Sequence, residues 1–319
     1  MYRIVSIDGG GIRGIITVAM LKKIGERLGS DDWLSKVDLF AGTSTGGLMA
    51  LALASGMPLK EIRDIYEIDG PVIFSDSFLH DLGSVFNWKG AHYDIANMEK
   101  CLKKRFGEGK KLSDLNKNVL IATFNLDNKG LDAQGKTTYR TWKPKIFHNF
   151  KGPDSDGTFL VYKIGLYTSA APTYFQTYEG YIDGGVYASN PSMCALAQTR
   201  DPKRFEGKSL SLDEVRMVSF GTGTKLEYIE GDKNWGKIPW VANDNNIIHI
   251  MMDGTNGIAD YQVRQMLGES YFRMAPIFTK GEKFQMDDVG KIKEMIAFAE
   301  SRLEPQTIQD AADWITTHW

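Results

Sequence analysis

The chain has 319 residues, 42% of them hydrophobic and 24% charged, with 38 Lys+Arg against 40 Asp+Glu. That length allows one large domain or two small ones around a sizeable core, and the composition is that of an ordinary soluble globular protein. The formal net charge of −2 gives no basic bias toward nucleic acid, and the two cysteines, Cys101 and Cys194, stand in no C-x-x-C or metal-ligand spacing.

Residues 3–7 (Arg-Ile-Val-Ser-Ile) are β-rich and open the fold as a strand, with no signal-peptide layout before them. Asp8-Gly9-Gly10-Gly11-Ile12-Arg13-Gly14 is a tight glycine loop, and residues 15–28 follow with helical spacing of Ile15, Ala19, Ile24 and Leu28. Residues 37–41 read as a second strand that runs into Gly42-Thr43-Ser44-Thr45-Gly46, and residues 47–53 as a small-residue helix. Pro58 to Ile68 is predicted as a further helix, with Pro at its start. Residues 71–93 are aromatic without a clean period, either an irregular segment on the core or a lid that meets lipid. A helix is predicted over 94–106 and a buried strand over 118–126. Residues 127–158 are polar and read as surface loop with a short hairpin around Thr137 to Trp142. A helix over 164–171 ends before Pro172, a strand covers 178–182, and Asp183-Gly184-Gly185 follows. Pro191 to Gln198 reads as helix, and Val215 to Phe220 as the last core strand. The remainder is read as mostly helical, over 243–269 and in two segments within 287–318. No apolar run approaches the roughly 18 residues of a membrane span. Strands alternating with helices predict an α/β sandwich with a largely parallel sheet. No linker splits the chain, so residues 1–319 are expected to form one domain, in the cytoplasm.

The Gly42–Gly46 stretch has G-x-S-x-G spacing between a strand and an apolar helix. A serine on such a turn is forced outward, and the following helix aims its N–H groups at the same spot. The context is that of a nucleophile elbow in a serine acyl hydrolase, with Gly42 and Gly46 clearing the turn. A serine hydroxyl needs a base within reach, yet none of the histidines His80, His92, His148, His249 and His318 stands in a triad-like loop. Asp183 is better placed, at a strand end before two glycines; spacing alone leaves it either the direct base for Ser44 or an ordinary Asp-Gly turn. Gly9 to Gly14 also matches the dinucleotide fingerprint G-x-G-x-x-G, but Asp31 and Asp32 precede the second strand instead of ending it, which disfavours NAD. The loop reads better as an oxyanion hole, with Gly9, Gly10 and Gly11 as candidate donors and the Thr45 N–H as a further one.

Three pieces in order, Asp8-Gly9-Gly10-Gly11-Ile12-Arg13-Gly14, Gly42-Thr43-Ser44-Thr45-Gly46-Gly47 and Asp183-Gly184-Gly185, closely resemble the patatin-like phospholipase family. The resemblance extends to Thr168-Ser169-Ala170-Ala171-Pro172-Thr173-Tyr174-Phe175, Asn190-Pro191 and Ser219-Phe220-Gly221-Thr222-Gly223, and covers about residues 3–224; residues 225–319 match no quotable pattern. It implies a three-layer α/β/α sandwich and lipid acyl hydrolysis of phospholipase A or lysophospholipase type. It also implies a Ser44–Asp183 dyad, with no histidine, metal or cofactor. Arg13 takes the family's basic position in the glycine loop; Gly14, Gly184 and Gly185 complete the motifs. Phospholipid or another acyl ester is the expected substrate, met in transient contact with a membrane surface, for which residues 74–93 and Trp235 to Trp240 are candidates. Two alternatives stay open. One is a phospholipase effector of bacterial antiphage defence, switched on by a cyclic-nucleotide activator; the other is a storage protein that retains the fold.

Overall fold

The computed structural model describes residues 1–75, 91–131, 134–205, 207–225, 247–279 and 282–319. The aromatic stretch within 76–90, Trp235 to Trp240 and His80 lie outside the described residues.

The central sheet is built from β1 (Tyr2–Ile7), β2 (Leu39–Thr43), β3 (Asn118–Asn125), β4 (Lys143–His148), β5 (Tyr181–Asp183), β6 (Val215–Phe220) and β7 (Tyr271–Met274). Its order is β7-β6-β1-β2-β3-β4, with β5 also pairing to β3. The pairings from β7 to β3 are parallel, while β4 and β5 run antiparallel to β3. The strands alternate with period two between two cores. Val5, Ile7, Phe40, Val119, Ile121, Val218 and Phe220 face one helical layer, and Ile4, Leu39, Ala41, Leu120, Val215 and Met217 face the other. The result is the expected three-layer α/β/α sandwich with a largely parallel sheet.

The first layer holds α1 (Gly14–Leu28), α2 (Thr45–Ala54), α3 (Leu59–Asp64), α4 (Ile95–Phe106) and α5 (Val161–Ser169). Every residue of α2 is buried, as its unbroken run of small and apolar side chains dictates. Asp94 caps α4 by accepting the Ala96 N–H at 3.0 Å. Beyond α3 the chain makes a π turn over Ile65–Asp69 and a short helix over Gly70–Ile73, so the predicted single helix to Ile68 is interrupted. The second layer holds α6 (Ser192–Gln198) and α7 (Ile247–Leu267). The last helices, α8 (Ile292–Ala297) and α9 (Pro305–His318), return to the first layer and pack on α1. The Trp319 indole N–H there donates to the Trp33 carbonyl at 2.8 Å.

Two sequence readings are corrected. Residues 127–158 are not all surface loop: β4 pairs Leu120 to Asn125 of β3 and buries Phe147. Its Ile146-Phe147 pair is too short to show a period inside a polar stretch. The small hairpin is present, as Gly130–Leu131 against Thr137–Tyr139. Val215–Phe220 is not the last core strand either, because β7 adds beside it inside a region read as helical.

β4 takes one edge of β3 along Leu120–Asn125, so β5, paired with Thr123–Asn125, must lie on the other edge, the edge of β2. There β2 stops with Thr43 opposite Ala122, and β5 enters from the opposite direction with Asp183 opposite Thr123. One strand therefore brings the end of β2 and the end of β5 to adjacent places.

Candidate active site

Ser44 is the hinge between β2 and α2, with φ 56° and ψ −127°. A non-glycine residue held there costs roughly 1–3 kcal/mol and persists only when its surroundings over-determine it. They do. The Ser44 N–H donates to Thr168 Oγ1 at 2.8 Å, and the Thr168 hydroxyl donates to the Ala122 carbonyl at 2.7 Å. Thr43 Oγ1 donates to the Ala188 carbonyl at 2.6 Å. Three glycines of the motifs stand where the chain is tightest: a Cβ at Gly42, Gly46 or Gly184 would come within 2.2, 2.2 or 2.3 Å of the carbonyl oxygens of Gly46, Ile7 and Ala122. Gly14 is closed against Thr45 Oγ1 in the same way, at 2.3 Å.

Asp183 ends β5 next to this hinge and is buried, and the Ser44 side chain favours its ionised form. The Gly185 N–H donates to its Oδ1 at 2.7 Å. Burial pushes the carboxyl up to about 6, with the Ser44 and Gly185 hydrogen bonds pulling the other way. No described histidine lines the cavity or bonds to Asp183. His92 is exposed before α4, His148 sits opposite Leu120 toward the start of β3, and His318 stacks on Trp314 in α9.

The glycine loop follows β1 and passes beside the hinge; a Cβ at Gly9 would touch that of Ser44 at 3.4 Å. Gly9 is corrected as an oxyanion donor, because its N–H is already given to the Ser189 carbonyl at 2.9 Å. Its carbonyl in turn accepts from Thr222 Oγ1 at 2.8 Å. The N–H groups of Gly10, Gly11 and Thr45 have no acceptor among the described residues. Arg13 turns back onto the loop: its Nε donates to the Gly10 carbonyl at 3.3 Å, and its guanidinium lies 6.0 Å from the centre of the Phe278 ring. Burial pushes that guanidinium down, with Asp253 opposing.

Ser44, Asp183, Gly10, Gly11, Thr45 and Gly185 open on one cavity of about 130 Å³. Beyond them its wall is mostly apolar, with Ile12, Leu48, Ile65, Ile73, Phe74, Met98 and Phe175 beside Ser169, Thr173 and Tyr174. The π turn carries Ile65 and Tyr66 into it, and Met252 and Met286 close it from downstream. A family model described as patatin-like phospholipase matches residues 5–196, which hold the glycine loop, the elbow and Asp183. The chain belongs to this family.

The patatin-like phospholipase match is accompanied by relatives that align over most of this chain. CotR of Bacillus subtilis is 28% identical over 349 residues, spanning 100% of this chain and 98% of its own. A cGAMP-activated phospholipase of Vibrio cholerae is 30% identical over 239 residues, spanning 69% of this chain and 64% of its own. Patatin-like protein 2 of Arabidopsis thaliana is 30% identical over 311 residues, spanning 82% and 71%. No described helix is long and apolar enough to cross a membrane, and no described cluster of three or more His, Cys, Asp or Glu is arranged to hold a metal ion. Sequence reasoning missed Thr168 and Thr222 as braces, although both lie in stretches that carried the resemblance. It also missed Arg273 and Met286, for which no motif gave a signal.

Proposed function

We propose that the chain is a serine carboxylic-ester hydrolase acting on lipid acyl esters, of phospholipase A or lysophospholipase type. The observation that carries this reading is that Ser44, on its strained hinge, and the buried Asp183 open together on one largely apolar cavity. With its pKa moved to about 6, Asp183 is ionised at neutral pH yet basic enough to take a proton. Ser44 Oγ bonds to the ester carbonyl carbon while Asp183 takes the hydroxyl proton. The carbonyl oxygen becomes an oxyanion, held by the N–H groups of Gly10, Gly11 and Thr45. The C–O bond to the alcohol breaks, Asp183 returns the proton to the departing alkoxide, and an acyl-Ser44 ester is left. Water attacks that ester with Asp183 again as base, the bond from the acyl carbon to Ser44 Oγ breaks to release the carboxylic acid, and the proton restores the Ser44 hydroxyl. The apolar wall takes the acyl chain. Substrates of this class lie in bilayers, so turnover on them needs transient contact with a membrane surface.

The test is hydrolysis of a p-nitrophenyl acyl ester and of phospholipid vesicles by the wild type, Ser44→Ala and Asp183→Asn. Both variants are expected to fold and to lose at least about 10³-fold in kcat. A folded variant turning over at the wild-type rate would sink the dyad. A gated version of the same activity is favoured by the relatives named cGAMP-activated phospholipase in Pseudomonas aeruginosa and Vibrio cholerae. Activity that appears only with a cyclic nucleotide supports gating; equal activity without one, and no nucleotide binding, removes it. Silence under every condition favours the storage alternative.

A further inference from the structure

We infer that Arg273, on β7, is a positioning residue that fixes the glycine loop at oxyanion-binding distance from Ser44; the inference rests on the hydrolase reading above. Asp8 leads β1 into the loop. Arg273 Nη1 donates to Asp8 Oδ1 at 3.2 Å and Nη2 to Asp8 Oδ2 at 2.5 Å. Two parallel bonds between planar groups fix orientation as well as distance. The side chains are 10% and 3% exposed, so water does not compete for them.

The far side of Arg273 is anchored too. Nη1 donates to Ser219 Oγ at 2.7 Å. Ser192 Oγ lies 3.0 Å from both Ser219 Oγ and Ser6 Oγ, and 2.5 Å from Asn190 Oδ1. Asn190 Oδ1 can only accept, so it takes the one hydroxyl hydrogen of Ser192. The hydroxyls of Ser6 and Ser219 then donate to Ser192, which leaves a lone pair of Ser219 for Arg273. Burial works against the guanidinium charge, but Asp8 outweighs it, with Asp260 Oδ1 at 3.9 Å from Nε adding to the effect.

A buried ion pair is a poor device for stability alone, since apolar residues of similar volume serve as well or better. What this one supplies is direction. Gly9 is tied through both its N–H and its carbonyl, but the N–H groups of Gly10 and Gly11 are left for the substrate. Their aim is set from the two ends, by Asp8 and by the Met286 carbonyl, which accepts the Ile12 N–H at 2.7 Å. Arg273 and Met286 both lie beyond residue 196, where the family match stops. The downstream part of the chain therefore completes the site.

Arg273→Lys keeps the charge and loses the fork; Arg273→Met with Asp8→Asn removes both charges and strands neither. For each, kcat and KM on a short soluble acyl ester are measured beside the melting temperature and the amide hydrogen exchange of Gly9 to Ile12. Arg273→Lys is expected to lower kcat about 10-fold, and the double variant about 10²-fold, with KM changed less than about threefold. The hydrogen-bonded loop amides, Gly9 and Ile12, should exchange at least about 10-fold faster while strand amides of β2 and β3 keep their protection. Folded variants with wild-type kcat and wild-type loop exchange would overturn the inference. Should the wild type hydrolyse no more ester than Ser44→Ala, the hydrolase reading falls. Loop exchange then decides the role of Arg273, and unchanged exchange overturns it.

Discussion

Asp183→Asn should abolish hydrolysis and at the same time stabilise the protein. In the fold the carboxyl is moved from 3.8 to about 6, chiefly because burial penalises its charged form. Each unit is worth 1.36 kcal/mol, so the ionised group costs the folded state about 3 kcal/mol at neutral pH. Asparagine has the same shape, and its Oδ1 can still accept from Gly185 N–H and from the Ser44 hydroxyl, but it carries no charge to desolvate. At about 2 °C per kcal/mol for a chain of this size, the variant should melt about 6 °C above the wild type. The sign of the pH dependence follows from the raised folded pKa: wild-type stability from this group is fully present below the unfolded value and is lost as pH rises through about 6. The gap between variant and wild type should therefore be widest above about pH 6.5 and close toward about pH 4. Thermal melts by circular dichroism at about pH 7.5, 6 and 5 read this directly. A variant that melts at or below the wild type at the highest pH, or an offset that does not shrink on acidification, would show that water reaches the carboxylate and that its burial is not the source of its basicity.

The kcat/KM for a soluble ester should fall about tenfold per pH unit below about 6 as Asp183 protonates; a profile flat between about pH 5 and 7 would remove Asp183 as the base. Gly10→Ala and Gly11→Ala place a Cβ 2.0 Å from Thr222 Oγ1 and 2.1 Å from the Met286 carbonyl, at φ 154° and 59°. Each should cost about 10²–10³ in kcat by displacing the donors, and wild-type kcat in a folded variant would contradict the oxyanion assignment. Thr168→Val removes the acceptor for Ser44 N–H and the donor to Ala122, and should cost about 1–3 kcal/mol of stability as well as activity. Thr168→Ser should restore both, and a valine variant with unchanged melting would show the brace to be dispensable. Met98→Trp, at the apolar wall of the cavity, should depress turnover of long-chain esters relative to butyrate; an unchanged ratio would place the acyl chain elsewhere.

Parallel strands and motifs were the most legible parts of the sequence. β1 and β6 are largely buried on both faces and read as β-rich, mostly apolar runs broken only by an arginine and a serine in each, and each motif falls at a turn with its own glycine punctuation. β4 escaped because its apolar content is two residues, and β7 because Tyr271 to Met274 is short, carries an arginine and comes close behind a long helix. The nucleophile and base candidates were legible as types at marked turns; their contact was not, since it depends on two strands sharing an edge of β3. Gly9 was misread as a donor because the Ser189 carbonyl that occupies its N–H lies far downstream, and residue spacing holds no trace of such a pairing. Arg273 was unreadable for the same reason: an arginine in a strand looks like any solvated residue until the sheet order puts Asp8 beside it.

The shared edge of β3 has a consequence for how this chain can vary. Thr43, just before Ser44, and Asp183 pair with adjacent residues of β3, Ala122 and Thr123, so the spacing is set by that strand and not by the length of chain that connects them. The polypeptide between these two residues can lengthen, shorten or change its surface in the small hairpin at Gly130–Tyr139 without moving Ser44 from Asp183. The loop between β3 and β4, none of whose described residues lines the cavity, is thereby free to diversify while Ser44 and Asp183 keep their gauge.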